Sequence, residues 1–213
     1  FALKPANVSF ASAAAVPVAA FTALQGLRDK GQIQPGQKVL IDGASGGVGT
    51  LAVQIAKSFK AEVTAVCSTR NMDMARSIGA DHVIDYTQED FATNGQQYDL
   101  ILAANGDRSI SDYKRALSPT GVYVQTGGSM GQMTQAMIQG PWISMTGSKK
   151  MGNMGVAKPN QSDLAFIKEL LESGKVKPVI DRCYPLSEVP EALRYLEEGH
   201  AKGKVVITVA QNN

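Results

Sequence analysis

The stretch that most constrains this chain is Val39-Leu40-Ile41-Asp42-Gly43-Ala44-Ser45-Gly46-Gly47-Val48-Gly49. A short apolar run enters a glycine cluster, and a helical pattern with Leu51, Val53, Ile55, Ala56 and Phe59 follows at once. That order reads as strand, tight turn, helix. The first glycine lets the chain leave the strand sharply, because no Cβ restricts its backbone. Bare backbone at Gly46 and Gly47 lets a pyrophosphate approach, and the unpaired N–H groups of the first helical turn point at such an anion. The spacing G-x-x-G-x-x-G is a variant of the dinucleotide fingerprint G-x-G-x-x-G, and a glycine trio by itself also fits an ordinary strand–helix turn.

The rest of the chain repeats the alternation. A helix over residues 10–30 with a kink at Pro17 precedes a strand at 38–42, a helix at about 47–59, a strand at 62–67 and a helix at about 71–78 that ends at Gly79. His82-Val83-Ile84-Asp85 reads as a third strand, 88–94 as a turn of helix, and Tyr98 to Ala103 as a fourth strand buried on both faces. A helix at 109–117, a turn at Pro119 to Gly121 and a fifth strand at Val122 to Thr126 follow, with Trp142 to Thr146 as a candidate sixth strand. A helix at 161–173 stops at Gly174. Strands alternating with helices predict an open parallel sheet with helices on both faces. The tail differs: extended at 176–186, helical at 187–197 and a strand at 204–209, all after the sheet is complete. Six of eight methionines fall between Gly127 and Gly155 (Met130, Met133, Met137, Met145, Met151 and Met154). They read as fillers of irregular gaps, with an adaptable pocket wall as the alternative.

Composition narrows the function classes. A net charge of +2 gives no lead to nucleic acid, and no apolar run reaches the ~18 residues of a membrane span. No basic stretch precedes the apolar Ala11–Leu24 segment, which also argues against a signal peptide. Two cysteines, Cys67 and Cys183, fit a reduced, cytoplasmic protein, and they and the two histidines, His82 and His200, form no zinc-spaced cluster. The expectation is therefore a small-molecule partner and no metal.

The second strand ends in Ser68-Thr69-Arg70, where a dinucleotide site meets the adenosine ribose. A carboxylate there would grip a 2′-hydroxyl; two hydroxyls and a guanidinium favour a 2′-phosphate instead. The reading is NADP(H) over NAD(H). The same run argues against a methyltransferase with a similar sheet, which wants an acid for the ribose hydroxyls.

Several stretches together resemble the medium-chain dehydrogenase/reductase superfamily, in its zinc-independent quinone oxidoreductase-like branch. They are Ala14-Val16-Pro17 with Thr22-Ala23-Leu24, the glycine turn, Gly79-Ala80-Asp81-His82-Val83-Ile84-Asp85-Tyr86, Ala157-Lys158-Pro159-Asn160, and Gly199-His200-Ala201 with Gly203-Lys204-Val205-Val206. They arrive in the family's order over nearly the whole chain. The resemblance implies a Rossmann-type doubly wound sheet and NADPH-linked reduction of quinones, enones or related carbonyls. By position, Ala44 to Val48 (Ala44, Ser45, Gly46, Gly47, Val48) would meet the pyrophosphate, and Ser68, Arg70 and Tyr86 the 2′-phosphate. Ala104 and Asn105 would approach the nicotinamide ribose, Gly127 the nicotinamide and Thr22 its carboxamide, with Lys158 and Asn160 as cofactor-loop contacts.

Two departures from the family carry weight. Zinc-dependent relatives place a metal-binding Cys four residues before the position of Thr22, and here that residue is Val18. The family's N-terminal catalytic domain is also not in this chain. The expected organisation is an incoming connection at 1–10, a dinucleotide-binding domain at 11–175, and a C-terminal segment at 176–213 that belongs to or packs on a second domain. No catalytic acid or base stands out. The expectation is cofactor binding with poor turnover by this portion alone, a non-catalytic NADPH-sensing module being the rival, and a homodimer through the sixth-strand region is implied.

Overall fold

A computed structural model describes residues 1–105, 108–128, 131, 134, 140, 142–145 and 147–209. The chain enters through residues 1–9, anchored where Asn7 Nδ2 donates to the carbonyls of Leu171 and Glu172. The first helical stretch is divided. α1 (Phe10–Ala14), capped by Ser9, is separated from α2 (Pro17–Gln25) by Ala15 and Val16. Pro17 stands in the first turn of α2, so the expected kink is a full break: proline has no N–H to continue α1 but suits the start of a new helix. A π-type turn (Gly26–Lys30) extends α2.

Then come β1 (Lys38–Asp42), α3 (Gly49–Ser58), β2 (Glu62–Cys67), a 3₁₀ turn (Thr69–Asn71), α4 (Met72–Ser77), β3 (His82–Asp85) and β4 (Tyr98–Ala103). α5 (Ile110–Ala116), β5 (Leu117–Gln125), β6 (Lys150–Asn153) and α6 (Gln161–Glu172) complete the main unit. All six strands pair in parallel in the order β3-β2-β1-β4-β5-β6. The order reverses between β1 and β4, the switch point where open α/β sheets bind ligands beyond their strand ends. The expected α/β fold is therefore present.

Three local expectations are corrected. Residues 88–94 form successive turns, not helix, with Thr93 and Asn94 both donating to the Asp90 carbonyl. Pro119 to Gly121 lie inside β5 as a bulge: Leu117 pairs with Tyr98, and regular pairing resumes at Val122 opposite Leu100. Proline is tolerated there because a bulge needs no ladder donor. Trp142–Met145 are helical, and the sixth strand is Lys150–Asn153. Thr146, Met130, Met133 and Met137 lie outside the described residues.

Two apolar layers flank the sheet. On one side α2 packs against α6 and against α3, whose first eight residues are all buried. Buried Gln54 ties α3 to the loop after α6, donating to the Lys177 carbonyl and accepting from the Lys177 N–H. On the other side Phe91, Tyr113, Tyr123 and Met151 pack with Leu40 and Ile101. The tail forms its own parallel pair, β7 (Ile180–Pro185) and β8 (Lys204–Thr208), joined by α7 (Val189–Glu197). α7 buries only Ala192 and leaves Leu193 and Leu196 exposed.

Candidate cofactor site

At the end of β1 the chain turns through Gly43 at φ +79°. A Cβ there would lie 2.8 Å from the Asn105 amide nitrogen, and one on Gly49 would lie 2.1 Å from the Gly43 carbonyl oxygen. Both positions exclude any side chain. The turn is pinned by Ala44 N–H donating to the Val66 carbonyl and Gly46 N–H donating to that of Gly43. α3 then begins with no side-chain cap. Thr50 N–H already donates to the Gly46 carbonyl at 3.0 Å, so an external acceptor would meet the N–H groups ahead of it, at the positive end of the helix dipole.

A cavity of about 630 Å³ opens beside this turn. That volume is ample for a nucleotide-sized ligand. Gly43 and Ser45 line it from the turn, Ser68, Thr69 and Arg70 from the end of β2, Tyr86 from the end of β3, and Asn105 from the end of β4. Seven of the expected contacts therefore meet in one place, from stretches more than 60 residues apart. Gly46, Gly47 and Val48 complete the turn without bordering the cavity, and Ala44 is buried beneath it.

The other expected contacts lie outside the lining. Thr22 donates its hydroxyl to the Val18 carbonyl one helical turn back. Ala104 and Gly127 adjoin at the ends of β4 and β5, so close that a Cβ on Gly127 would lie 2.2 Å from the Ala104 carbonyl oxygen. Asn160 caps α6: its Oδ1 accepts from Asp163 N–H at 2.8 Å, and its Nδ2 donates to Asp163 Oδ2 at 2.8 Å. Gln25 Nε2 and Arg28 also reach the buried Asp163, and Gln25 holds Lys158 through that residue's backbone. The polar side-chain atoms of Asn160 are thus engaged around the start of α6, and Gln25 and Arg28 tie Asp163 to α2 and the turn that extends it. Burial opposes the charge on Asp163, but the bonds from Arg28, Gln25 and Asn160 outweigh it and hold the carboxyl below its usual range.

Sequence reasoning missed three features of the site. Asp85 ends β3 opposite Cys67 in the parallel register. It accepts from the Thr69 hydroxyl and from the Thr87 N–H and hydroxyl, and these bonds, Thr69's foremost, hold its carboxyl low. The Thr69 hydroxyl proton is therefore directed at Asp85, while Ser68 and Arg70 border the cavity as further side-chain donors. The register was the available signal, since neighbouring parallel strands end side by side. Second, Arg108 lines the cavity from beyond β4. Third, the tail returns over it. Gly199, His200 and Ala201 form part of the wall, Gly203 N–H donates to the Ser45 carbonyl at 2.8 Å, and Arg70 Nη2 contacts the His200 carbonyl oxygen at 3.4 Å.

Beneath the turn, buried Asp42 accepts from Tyr113 OH at 2.6 Å, and the Tyr113 ring lies 4.6 Å from that of Tyr123. Burial, then the Asp42 charge, pushes the Tyr113 hydroxyl far up, so it remains a donor. Burial, reinforced by Asp85, likewise pushes the Cys67 thiol up to about 11. His82, at the start of β3, pairs with Glu62 at 2.9 Å on the protein surface. Among the described residues no cluster of three metal-ligating side chains occurs, and no helix is long and apolar enough to cross a membrane.

Residues 78–207 match the family model described as zinc-binding dehydrogenase. The chloroplast envelope quinone oxidoreductase homolog of Arabidopsis thaliana is 36% identical over 214 residues, covering 96% of this chain and 64% of that protein. The 2-methylene-furan-3-one reductase of Solanum lycopersicum is 39% identical over 210 residues, covering 97% of this chain and 49% of that protein. The chain thus spans from about half to under two thirds of these relatives' length. A solved NAD-dependent alcohol dehydrogenase superposes with a TM-score of 0.84 at 31% identity, covering 98% of this chain and 62% of its own. The chloroplast name of the first relative lends no support to the cytoplasmic expectation.

Proposed function

This chain belongs to the zinc-binding dehydrogenase family of the medium-chain dehydrogenase/reductase superfamily, and from that premise we propose that it holds NADPH for hydride transfer to a quinone, an enone or a related carbonyl. The observation that carries the proposal is the single cavity joining the glycine turn to the end of β2. In this reading the turn and the uncapped start of α3 receive the pyrophosphate. The Arg70 guanidinium and the Ser68 hydroxyl receive the adenosine 2′-phosphate through charge-assisted bonds, with Tyr86 beside them. Asn105 stands toward the nicotinamide ribose, and Gly127 with Ala104 shapes the ground beyond it.

The nicotinamide, when bound, supplies the hydride. The chain's own work is to bind, orient and cover it, the tail loop at 199–201 forming part of the cover. Kinship does not choose between the two cofactors, because the solved neighbour is named for NAD. Local chemistry favours NADPH: Arg70 is an exposed guanidinium bordering the cavity, and the nearby carboxylate of Asp85 is engaged by Thr69 and Thr87. The substrate class follows from the relatives' names, one a quinone oxidoreductase homolog and the other a reductase of a methylene-furanone, a conjugated enone. We read the reaction as zinc-independent, since Val18 offers only an alkyl group, 77% exposed on α2. Residues 176–213 are read as part of a second domain, and a homodimer through the sixth strand would use β6 at Lys150–Asn153. Calorimetric titration of NADPH into wild type and Arg70→Ala tests the phosphate assignment. Loss of affinity on the order of tenfold or more is expected from a lost charge-assisted pair, and unchanged affinity would refute it.

A further inference from the structure

Asn71 closes the 3₁₀ turn after β2 and stands at the N-cap position of α4. An asparagine there ordinarily turns its side-chain oxygen to a free N–H of the first helical turn. Asn71 makes no such bond. Its Nδ2 instead donates to Ser68 Oγ at 3.2 Å, and its Oδ1 is buried with no hydrogen-bond partner among the described residues. The residue is 4% exposed and borders the same cavity as Ser68. A helix cap and a satisfied carbonyl oxygen are both forgone for one bond to a serine hydroxyl. Buried polar groups are normally paired, so this exception asks for a functional reason.

The reason lies in the direction of one proton. A serine hydroxyl has one proton to give and two lone pairs to offer. The Asn71 amide occupies a lone pair of Ser68 Oγ, which leaves the Ser68 proton to point at another acceptor. An ionised phosphate oxygen only accepts, so a serine that faces it must donate. Thr69 next door shows the other outcome, its hydroxyl proton being taken by Asp85. We propose that Asn71 is a positioning residue that turns the Ser68 hydroxyl proton toward the adenosine 2′-phosphate. It acts through Ser68 and touches no phosphate itself. The role rests on the dinucleotide reading given above. It also favours NADPH over NADH, because a ribose 2′-hydroxyl can give or take a hydrogen bond and does not need Ser68 to donate.

The test is a double-mutant cycle read by calorimetry. NADPH and NADH are titrated into the full chain as wild type, Ser68→Ala, Asn71→Ala, Asn71→Ser and the two double variants. Serine caps a helix as well as asparagine does but lacks the amide, so Asn71→Ser decides the matter if Asn71→Ala does not fold. Both Asn71 variants are expected to lose about three- to tenfold in affinity for NADPH and less than about twofold for NADH. In the Ser68→Ala background the same substitutions should change neither affinity, since no hydroxyl is left to orient. Unchanged NADPH affinity in Asn71→Ser, an equal loss for both cofactors, or an undiminished loss in the Ser68→Ala background would overturn the proposal. Wild-type NADPH affinity in Ser68→Ala would overturn the phosphate assignment beneath it, and wild type binding neither cofactor would overturn the dinucleotide reading itself.

Discussion

Adding one methyl group at either of two glycines in the same turn separates folding from binding. At Gly49 a Cβ would stand 2.1 Å from the Gly43 carbonyl oxygen and 2.7 Å from the Ala44 Cα. Both neighbours are backbone, and the first contact is short of van der Waals separation by roughly 1 Å or more. The turn cannot open freely, because Ala44 N–H is bonded to the Val66 carbonyl at 3.0 Å. Relief of such a clash typically costs about 1–3 kcal/mol, and more where backbone must move. Alanine's better helix propensity returns at most about 1 kcal/mol, less at a helix end. The clash wins, and Gly49→Ala should be destabilised by about 2 kcal/mol, lowering Tm by about 4–8 °C for a chain of this size. At Gly46 the nearest neighbour of an added Cβ is the Gly43 oxygen at 3.6 Å, an ordinary contact. Gly46→Ala should therefore keep wild-type stability within about 0.5 kcal/mol. Its cofactor affinity should fall nonetheless, if bare backbone there is what lets the pyrophosphate approach. Thermal and urea unfolding followed by circular dichroism reads the first effect, and calorimetry the second. Equal stability of Gly49→Ala and wild type, or equal damage at both glycines, would refute the reasoning.

Other perturbations have defined outcomes. Tyr113→Phe removes one donor to buried Asp42 and should cost about 1.5–3 kcal/mol by urea unfolding; unchanged stability would count against that bond. Asp163→Ala should cost about 2 kcal/mol, below the 3–5 of a fully buried pair because Arg28 keeps part of its charge in water. Since Asp163 has a depressed pKa in the folded state, its contribution is present above its unfolded value near ~3.9 and is lost as pH falls through the lower folded value. Wild type should therefore lose stability on acidification below about pH 4 more steeply than Asp163→Asn, and parallel pH profiles would contradict this. A thiol reagent at pH 8 should label exposed Cys183 alone, because Cys67 is buried and its pKa is raised to about 11; two fast labels on the folded chain would count against that placement.

The legible parts of this fold were those with local signatures. The apolar run to Asp42, the glycines and the amphipathic pattern after them gave β1, the turn and α3, and Gly79 and Gly174 ended their helices as read, at φ +102° and +69°. The misread parts were those where local signals conflict. Trp142–Met145 is short and apolar, so period alone does not separate strand from helix. Pro119 looked like a turn because the bulge that admits it depends on pairing with Tyr98 and Leu100. In the site, Gly43, Ser45, Ser68, Arg70 and Tyr86 were visible because each follows a strand end. Arg108 and the 199–201 loop were not, because only the folded chain brings them to the cavity, and the Thr69–Asp85 bond depends on the β2–β3 register.

The central claim is that one cavity, between the glycine turn and the end of β2, holds the cofactor. Amide chemical-shift mapping of the ¹⁵N-labelled chain during an NADPH titration tests it most directly. The account predicts saturable shifts centred on Gly43 to Gly49, Ser68 to Asn71, Tyr86, Asn105 and the 199–201 loop. Shifts centred elsewhere, or none at millimolar NADPH, would contradict it.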